Sequence, residues 1–167
     1  MTTLDFNPDE LRDKYRSERD KRLRTEANEQ YVEVAGEFAH YLDDPYMKLE
    51  ERAPIVKEVQ VAIVGGGFGG MLVGARLHEA GVHDFTIIEK GGDFGGTWYW
   101  NRYPGARCDV ESMQYSYSFS QELQQEWRWS EKFSAQPEIL DYANHVADRF
   151  DLRSDMQFET SIESAHF

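Results

Sequence analysis

Val59-Gln60-Val61-Ala62-Ile63-Val64 runs directly into Gly65-Gly66-Gly67-Phe68-Gly69-Gly70, and this junction decides the fold. The first half is apolar and β-branched, which predicts a strand buried on both faces of a parallel sheet. The glycines then open a helix through Met71, Leu72, Ala75, Leu77 and Ala80. Gly81 stands where a helix-ending glycine belongs. Phe85-Thr86-Ile87-Ile88 predicts a second strand, and Glu89 closes it. Residues 58–90 therefore read as β-α-β, with a right-handed crossover by strong preference. The fold class is α/β.

A GxGxxG pattern in that setting has physical tasks to perform. Gly65 permits a tight turn, Gly67 lets backbone approach a phosphate, and Gly70 lets helix and strand pack closely. The helix start offers unpaired N–H groups and partial positive charge to a pyrophosphate. Glu89 can accept from an adenosine ribose and repels a 2′-phosphate, which favours FAD or NAD over NADP. A turn that binds nothing is the competing reading. The agreement of strand, glycines, helix and acid disfavours it.

Beyond Lys90 the chain continues Gly95-Gly96-Thr97-Trp98-Tyr99-Trp100-Asn101-Arg102-Tyr103-Pro104-Gly105-Ala106-Arg107-Cys108-Asp109. The glycines allow close approach to a cofactor, and Trp98 and Trp100 can wall off a flat ring. Core packing is the usual fate of a tryptophan, and composition leaves the two readings even. Asp109 by itself is a carboxylate after a Pro-Gly turn, suited to a turn or cap. Cys108 has no histidine near it in sequence and reads as a small buried residue rather than a nucleophile.

This segment fits [A/G]GxWxxxx[F/Y]P[G/M]xxxD at every fixed position: Gly96, Trp98, Tyr103, Pro104, Gly105 and Asp109. It resembles the N-terminal flavin-binding part of a type I Baeyer–Villiger monooxygenase. The likeness runs from about Val59 to Phe167 and includes Glu111-Ser112 and Gln136-Pro137-Glu138-Ile139-Leu140. The resemblance implies a Rossmann-like FAD-binding domain. Gly65, Gly67, Phe68, Gly69 and Gly70 would hold the pyrophosphate, and Glu89 the ribose with Lys90 beside it. Gly96, Thr97, Trp98, Tyr99 and Trp100 would lie on the flavin side, with Tyr115 also contacting FAD. Asp109 would stand beside the flavin ring as the catalytic residue, where the family pairs it with an arginine that stabilises the peroxyflavin. Arg107, Cys108 and Asp109 would border the nicotinamide of NADPH. The implied reaction consumes a ketone and molecular oxygen and gives an ester or lactone.

Composition bounds the alternatives. The net charge of −13 opposes a nucleic-acid or anionic-membrane partner. One cysteine excludes an internal disulfide and a cysteine zinc site, and the five histidines show no metal-ligand spacing. No signal peptide or run of about 20 apolar residues is visible, so the cytoplasm is expected. Oligomeric state is not legible.

Residues 1–57 predict a charged helical extension lying on the main domain, and residues 58–167 a partial FAD-binding domain. Within the extension, alternating charges from Asp9 to Glu29 suit a solvated helix. Tyr31, Val34, Ala35, Phe38, Tyr41 and Leu42 make an apolar stripe expected to pack as a second helix, ended by Asp43-Asp44-Pro45. Further on, the aromatic stretch from Tyr115 to Phe133 reads as short helices and loops. Pro137 starts a helix, and Met156, Phe158, Thr160 and Ile162 alternate as a strand.

A second glycine fingerprint for NADPH and the FxGxxxHxxxW pattern of the family are not found in the 167 residues. The chain is accordingly expected to be a fragment or truncated product that binds FAD weakly and does not turn over alone. Three other readings stand beside the first: an N- or S-oxygenating flavin monooxygenase, a simple NAD-dependent dehydrogenase, and a truncated non-catalytic FAD-binding fragment. The Trp98–Asp109 pattern argues against the first of these. A flavin-covering loop directly after Glu89 argues against the dehydrogenase.

Overall fold

A computed structural model describes residues 6–32, 34–48 and 50–166. The chain divides into two compact units, residues 1–43 and 44–167.

In the first unit, helix α1 spans Pro8–Asp20. Asn7 caps it by accepting the Asp9 N–H at 3.0 Å, and Pro8 supplies a preset φ at the first turn. Its i,i+3 ion pairs, Arg12–Asp9 and Arg16–Asp13, are fully solvated and add at most tenths of a kcal/mol. No α1 residue is buried. The helix stops at Asp20, short of the expected Glu29, where no apolar face remains to hold it. The predicted second helix is instead a 3₁₀ stretch, Gly36–Leu42, entered through Gly36 at φ +61°. Its stripe is not packed: Phe38 is 54% and Tyr41 68% exposed.

The second unit is built on a three-stranded parallel sheet in the order β1 (Val61–Val64), β2 (Phe85–Ile88), β3 (Met156–Gln157). Register is fixed by Val61 opposite Phe85 and Ile87 opposite Met156. Helix α2 (Phe68–Glu79) makes the crossover between β1 and β2, and Gly81 follows it at φ +74° as the expected helix end. Helices α3 (Thr97–Trp100) and α4 (Gln121–Glu126) are short. Helix α5 (Gln136–Arg149) begins at Gln136, one residue ahead of the expected Pro137, and buries Ile139, Tyr142, Ala143, Val146 and Ala147 on one stripe.

One core joins Ile63, Met71, Phe85, Ile87, Phe94, Ala143, Ala147 and Leu152. Each large apolar side chain buried there stabilises by roughly 1.5–3 kcal/mol. A satellite cluster packs Leu123, Tyr142 and Val146 against Phe68, Trp127 and Trp129. Two expectations need correction. β1 is not buried on both faces: Ile63 is enclosed, whereas Val64 is 70% exposed. The last strand ends at Gln157, because Glu159 turns at φ +52° and the chain leaves the sheet.

Candidate cofactor-binding site

The site begins where β1 ends. Gly65 donates its N–H to the Ile88 carbonyl at 2.8 Å, extending the ladder by one residue, and turns at φ +96°. Met71 then donates to the Gly67 carbonyl at 3.0 Å and closes the first turn of α2. A Cβ at Gly70 would overlap the Gly65 carbonyl oxygen, so the helix sits directly on the turn. The N-cap of α2, Gly67, supplies no side-chain acceptor to the first N–H groups. These groups are therefore donors in search of an anion.

Glu89 ties this turn to the next one. Its side chain is buried at 6% exposure; one oxygen accepts the Gly66 N–H at 2.6 Å and the other the Gly91 N–H at 2.7 Å. Carboxylate oxygens carry two acceptor sites each, so capacity remains for a hydroxyl. Beside Glu89 lies a cavity of about 370 Å³ lined by Val64, Gly65, Ile88, Lys90, Thr160, Ser161 and Ile162 as well. Thr160, Ser161 and Ile162 were hidden in sequence by the strand pattern. The cluster Glu159-Thr160-Ser161 was the available loop signal.

The aromatic loop lies on the glycine turn itself. Gly95 donates to the Gly66 carbonyl at 3.1 Å. Gly96 adopts φ +53° and ψ −117°, a backbone state of glycine, and a Cβ there would stand 2.9 Å from Gly67 Cα. Gln136 reaches from α5 to donate to the Trp98 carbonyl at 2.5 Å. Between turn and loop is a cavity of about 410 Å³ lined by Gly67, Phe68, Gly95, Gly96, Thr97, Trp98 and Tyr115. Tyr115 meets both Trp98 and Phe68 edge-on, each with ring centres 5.5 Å apart.

Phe68 is backed by aromatic side chains. The Tyr117 hydroxyl donates to the Phe68 carbonyl at 2.5 Å, and Tyr142 accepts the Tyr117 N–H at 2.8 Å. Burial, with Tyr142 nearby, pushes the Tyr117 phenol well above its ordinary pKa, so it stays a donor. Tyr117→Phe is expected to lower stability by about 1 kcal/mol, read from denaturant midpoints. An unchanged midpoint would show that this bond contributes nothing.

Tyr99 and Trp100 do not line either cavity. Tyr99 is buried, and its hydroxyl donates to Asp44 Oδ2 at 2.5 Å. Lys90 stands over the Trp100 ring, 5.6 Å from its centre. Burial raises the Asp44 carboxyl, but hydrogen bonds from Tyr99, Tyr46 and Gly92 and the charge of Arg102 outweigh it and hold it below its ordinary value. Burial first, then Asp44, pushes the Tyr99 phenol up to about 12. A carboxyl lowered on folding stabilises above its unfolded pKa and loses that contribution as pH falls through its folded one. A phenol raised on folding stabilises below its unfolded pKa near 10 and loses that as pH climbs toward about 12. The stability deficit of Tyr99→Phe should therefore be flat from about pH 5 to about pH 9 and shrink outside that window, by thermal melts across pH. A deficit unchanged at both extremes would contradict the pairing.

The remaining expected residues sit further along. Arg107 pairs with Glu131 at 2.6 Å and donates to the Phe133 carbonyl. Cys108 is buried, its N–H donating to the Ser134 carbonyl at 3.1 Å. Asp109 is exposed. Neither it, Arg107 nor Cys108 lines either cavity. Burial raises the Tyr115 phenol above its ordinary value, against the lowering hydrogen bond with Trp98, and Cys108 and then Asp109 add smaller upward contributions. The structure thus gathers Gly65, Glu89 and Lys90 at one cavity and Gly67, Phe68, Gly96, Thr97, Trp98 and Tyr115 at the other, with Gly70 packed behind them and Gly69 exposed. Among the described residues no group of three or more His, Cys, Asp or Glu is placed to hold a metal. No described helix is long and apolar enough to cross a membrane.

Comparison with known proteins follows the same lines. The NAD(P)-binding Rossmann-like domain family matches residues 63–146. A curated Baeyer–Villiger monooxygenase of Streptomyces coelicolor is 44% identical over 156 residues, which is 92% of this chain and 25% of that protein. A solved steroid monooxygenase, oxidised and bound to NADP, superposes with a TM-score of 0.58 at 56% identity, over 60% of this chain and 19% of the other. The FAD-bound form of OTEMO does so at 0.58 and 42% identity, over 62% and 19%. The chain spans about a quarter of the length of the curated relatives it matches.

Proposed function

The chain belongs to the NAD(P)-binding Rossmann-like domain family and is a relative of flavin-dependent Baeyer–Villiger monooxygenases, and on that premise we propose that it holds FAD for inserting oxygen beside a ketone carbonyl. Residues 58–167 are the cofactor-binding part in this reading and residues 1–57 an extension, of which residues 44–57 belong to the same compact unit as the site. NADPH, a ketone and molecular oxygen are the other reactants. The observation that carries the reading is the apposition of Gly96 on Gly67, with Glu89 holding the Gly66 and Gly91 N–H groups beside it. A side chain at Gly96 or Gly70 would collide with the turn, which keeps the backbone of the two segments in direct contact. A plain nicotinamide site needs only the first glycine turn, and the covering loop is what favours a flavin.

The residues fit the group. N–H groups at the start of α2 would hold the pyrophosphate, and Glu89 would accept from the ribose, with Lys90, Thr160 and Ser161 around it. Trp98, Thr97 and Tyr115 would bound the flavin end and exclude water from it. Bound flavin supplies the redox and oxygen chemistry. The chain's own part is to bind, to orient and to place charge. Asp109 would contribute that charge. Arg107 and Cys108 would border the nicotinamide. A cytoplasmic setting belongs to the same proposal and suits the free thiol of Cys108.

Equilibrium titration with FAD, followed by loss of flavin fluorescence and repeated with NAD as competitor, tests the assignment. One FAD per chain, not displaced by NAD, is the expected result. A chain that takes up NAD and no FAD would overturn it.

A further inference from the structure

The segment Asp44-Pro45-Tyr46-Met47, well ahead of β1, is built onto the back of the aromatic loop. Asp44 Oδ2 accepts from the Tyr99 hydroxyl at 2.5 Å and from the Gly92 N–H at 3.0 Å, while Oδ1 accepts the Tyr46 N–H at 2.8 Å. The last bond folds the segment into a turn over Pro45. Tyr46 donates its hydroxyl to the Trp100 carbonyl at 3.1 Å. The Arg102 guanidinium stands 3.9 Å from the Tyr46 ring centre and 4.8 Å from that of Tyr99, and its Nε donates to the Tyr99 carbonyl at 2.8 Å. Met47 lies where a side chain on Gly92 would have to go.

Helix α3 is a single turn and cannot hold its own place. It is tethered from three sides: Gly95 on the Gly66 carbonyl, Gln136 on the Trp98 carbonyl, and the upstream segment through Asp44 on the Tyr99 hydroxyl and Tyr46 on the Trp100 carbonyl. Two tethers come from the Rossmann unit itself. The third comes from sequence ahead of it. Tyr99 turns toward that tether, while Thr97 and Trp98 of the same turn line the 410 Å³ cavity.

We infer that Asp44 is a positioning residue for the cofactor: through Tyr99 and Gly92 it holds α3 so that Thr97 and Trp98 form the cavity wall. The inference rests on the FAD reading above. It adds that the Asp-Pro-Tyr-Met segment belongs to the cofactor site although it touches neither cavity.

FAD titration of the 167-residue chain and of its Asp44→Ala, Asp44→Asn and Tyr99→Phe variants tests it, with a thermal melt of each cofactor-free chain. Asp44→Ala is expected to bind FAD about tenfold more weakly and to melt below the parent, because the Tyr99 hydroxyl and the Gly92 N–H lose their acceptor, while remaining folded at the temperature of the titration. Asp44→Asn keeps one acceptor oxygen for the Tyr99 hydroxyl but sets an amide donor against the Tyr46 N–H, so its affinity should lie between parent and alanine. Combining Asp44→Ala with Tyr99→Phe should cost no more than the worse single change, since both cut one link. Unaltered FAD affinity in Asp44→Ala, with the parent binding normally, overturns this inference and leaves the functional reading standing. So does affinity lost only in step with a collapsed melt and not recovered by Asn, which marks a purely structural residue. If the parent chain takes up no FAD, the functional reading falls and this inference with it.

Discussion

A Gly70→Ala chain is expected to lose FAD binding and about 3 kcal/mol of stability. The methyl group would overlap the Gly65 carbonyl oxygen, a backbone atom that no rotamer change can move. Relief requires α2 to tilt away from the turn or the turn to open. Either movement displaces Gly66 and Gly67, and with them the contacts to Glu89 and Gly96. Neighbouring Gly69 is the control, because a Cβ there meets nothing within 4 Å. Gly69→Ala should fold with a denaturant midpoint close to the parent's. Denaturant midpoints and FAD titration read both variants, and a Gly70→Ala chain that binds like the parent would show the packing is softer than the geometry states.

Removing the acid at the end of β2 should be nearly as costly. Glu89→Ala leaves the Gly66 and Gly91 N–H groups without their acceptor in a buried place. Each orphaned donor costs about 1–3 kcal/mol, so a loss near 3 kcal/mol is expected for the fold. Affinity for FAD should fall by roughly a hundredfold, since the ribose loses its acceptor and the two turns lose their shared anchor. Glu89→Gln separates charge from shape. It offers one good acceptor and places an amide donor against an N–H, so it should sit between parent and alanine. Equal binding by all three chains would remove Glu89 from the site.

The parts of the fold that were legible in sequence are those where one local rule governs. Phe85–Ile88 is a strand end to end because three apolar residues and Thr86, three of the four β-branched, sit between turn residues. The Gly65–Gly70 turn was legible because backbone sterics leave glycine as the residue for such a turn. Where tertiary contacts decide, sequence misled. The alternation at Met156–Ile162 looked like one strand, but Glu159 N–H and Thr160 N–H turn to the carbonyls of Gly91 and Glu89 and take the chain off the sheet. The Tyr31–Leu42 stripe has helical spacing, yet Gly36 interrupts it and its side chains stay exposed.

The site shows the same division. Gly67, Glu89, Gly96 and Trp98 were readable because their chemistry is carried by adjacent residues. In sequence Asp44 reads only as the end of a helix, since 55 residues separate it from the Tyr99 hydroxyl it accepts from. No local pattern reports a contact of that span. Tyr99 likewise appeared as a flavin-side residue, and the structure turns its hydroxyl the other way.

The central claim is that FAD lies in the cradle between the Gly65–Gly70 turn and the Gly95–Trp98 loop. A crystal structure of the chain with FAD tests it most directly. The account predicts the pyrophosphate against the N–H groups that open α2, with the adenosine ribose on Glu89 and the flavin end toward Trp98 and Tyr115. FAD bound elsewhere, or with its phosphates away from Gly67 and Gly96, would contradict it.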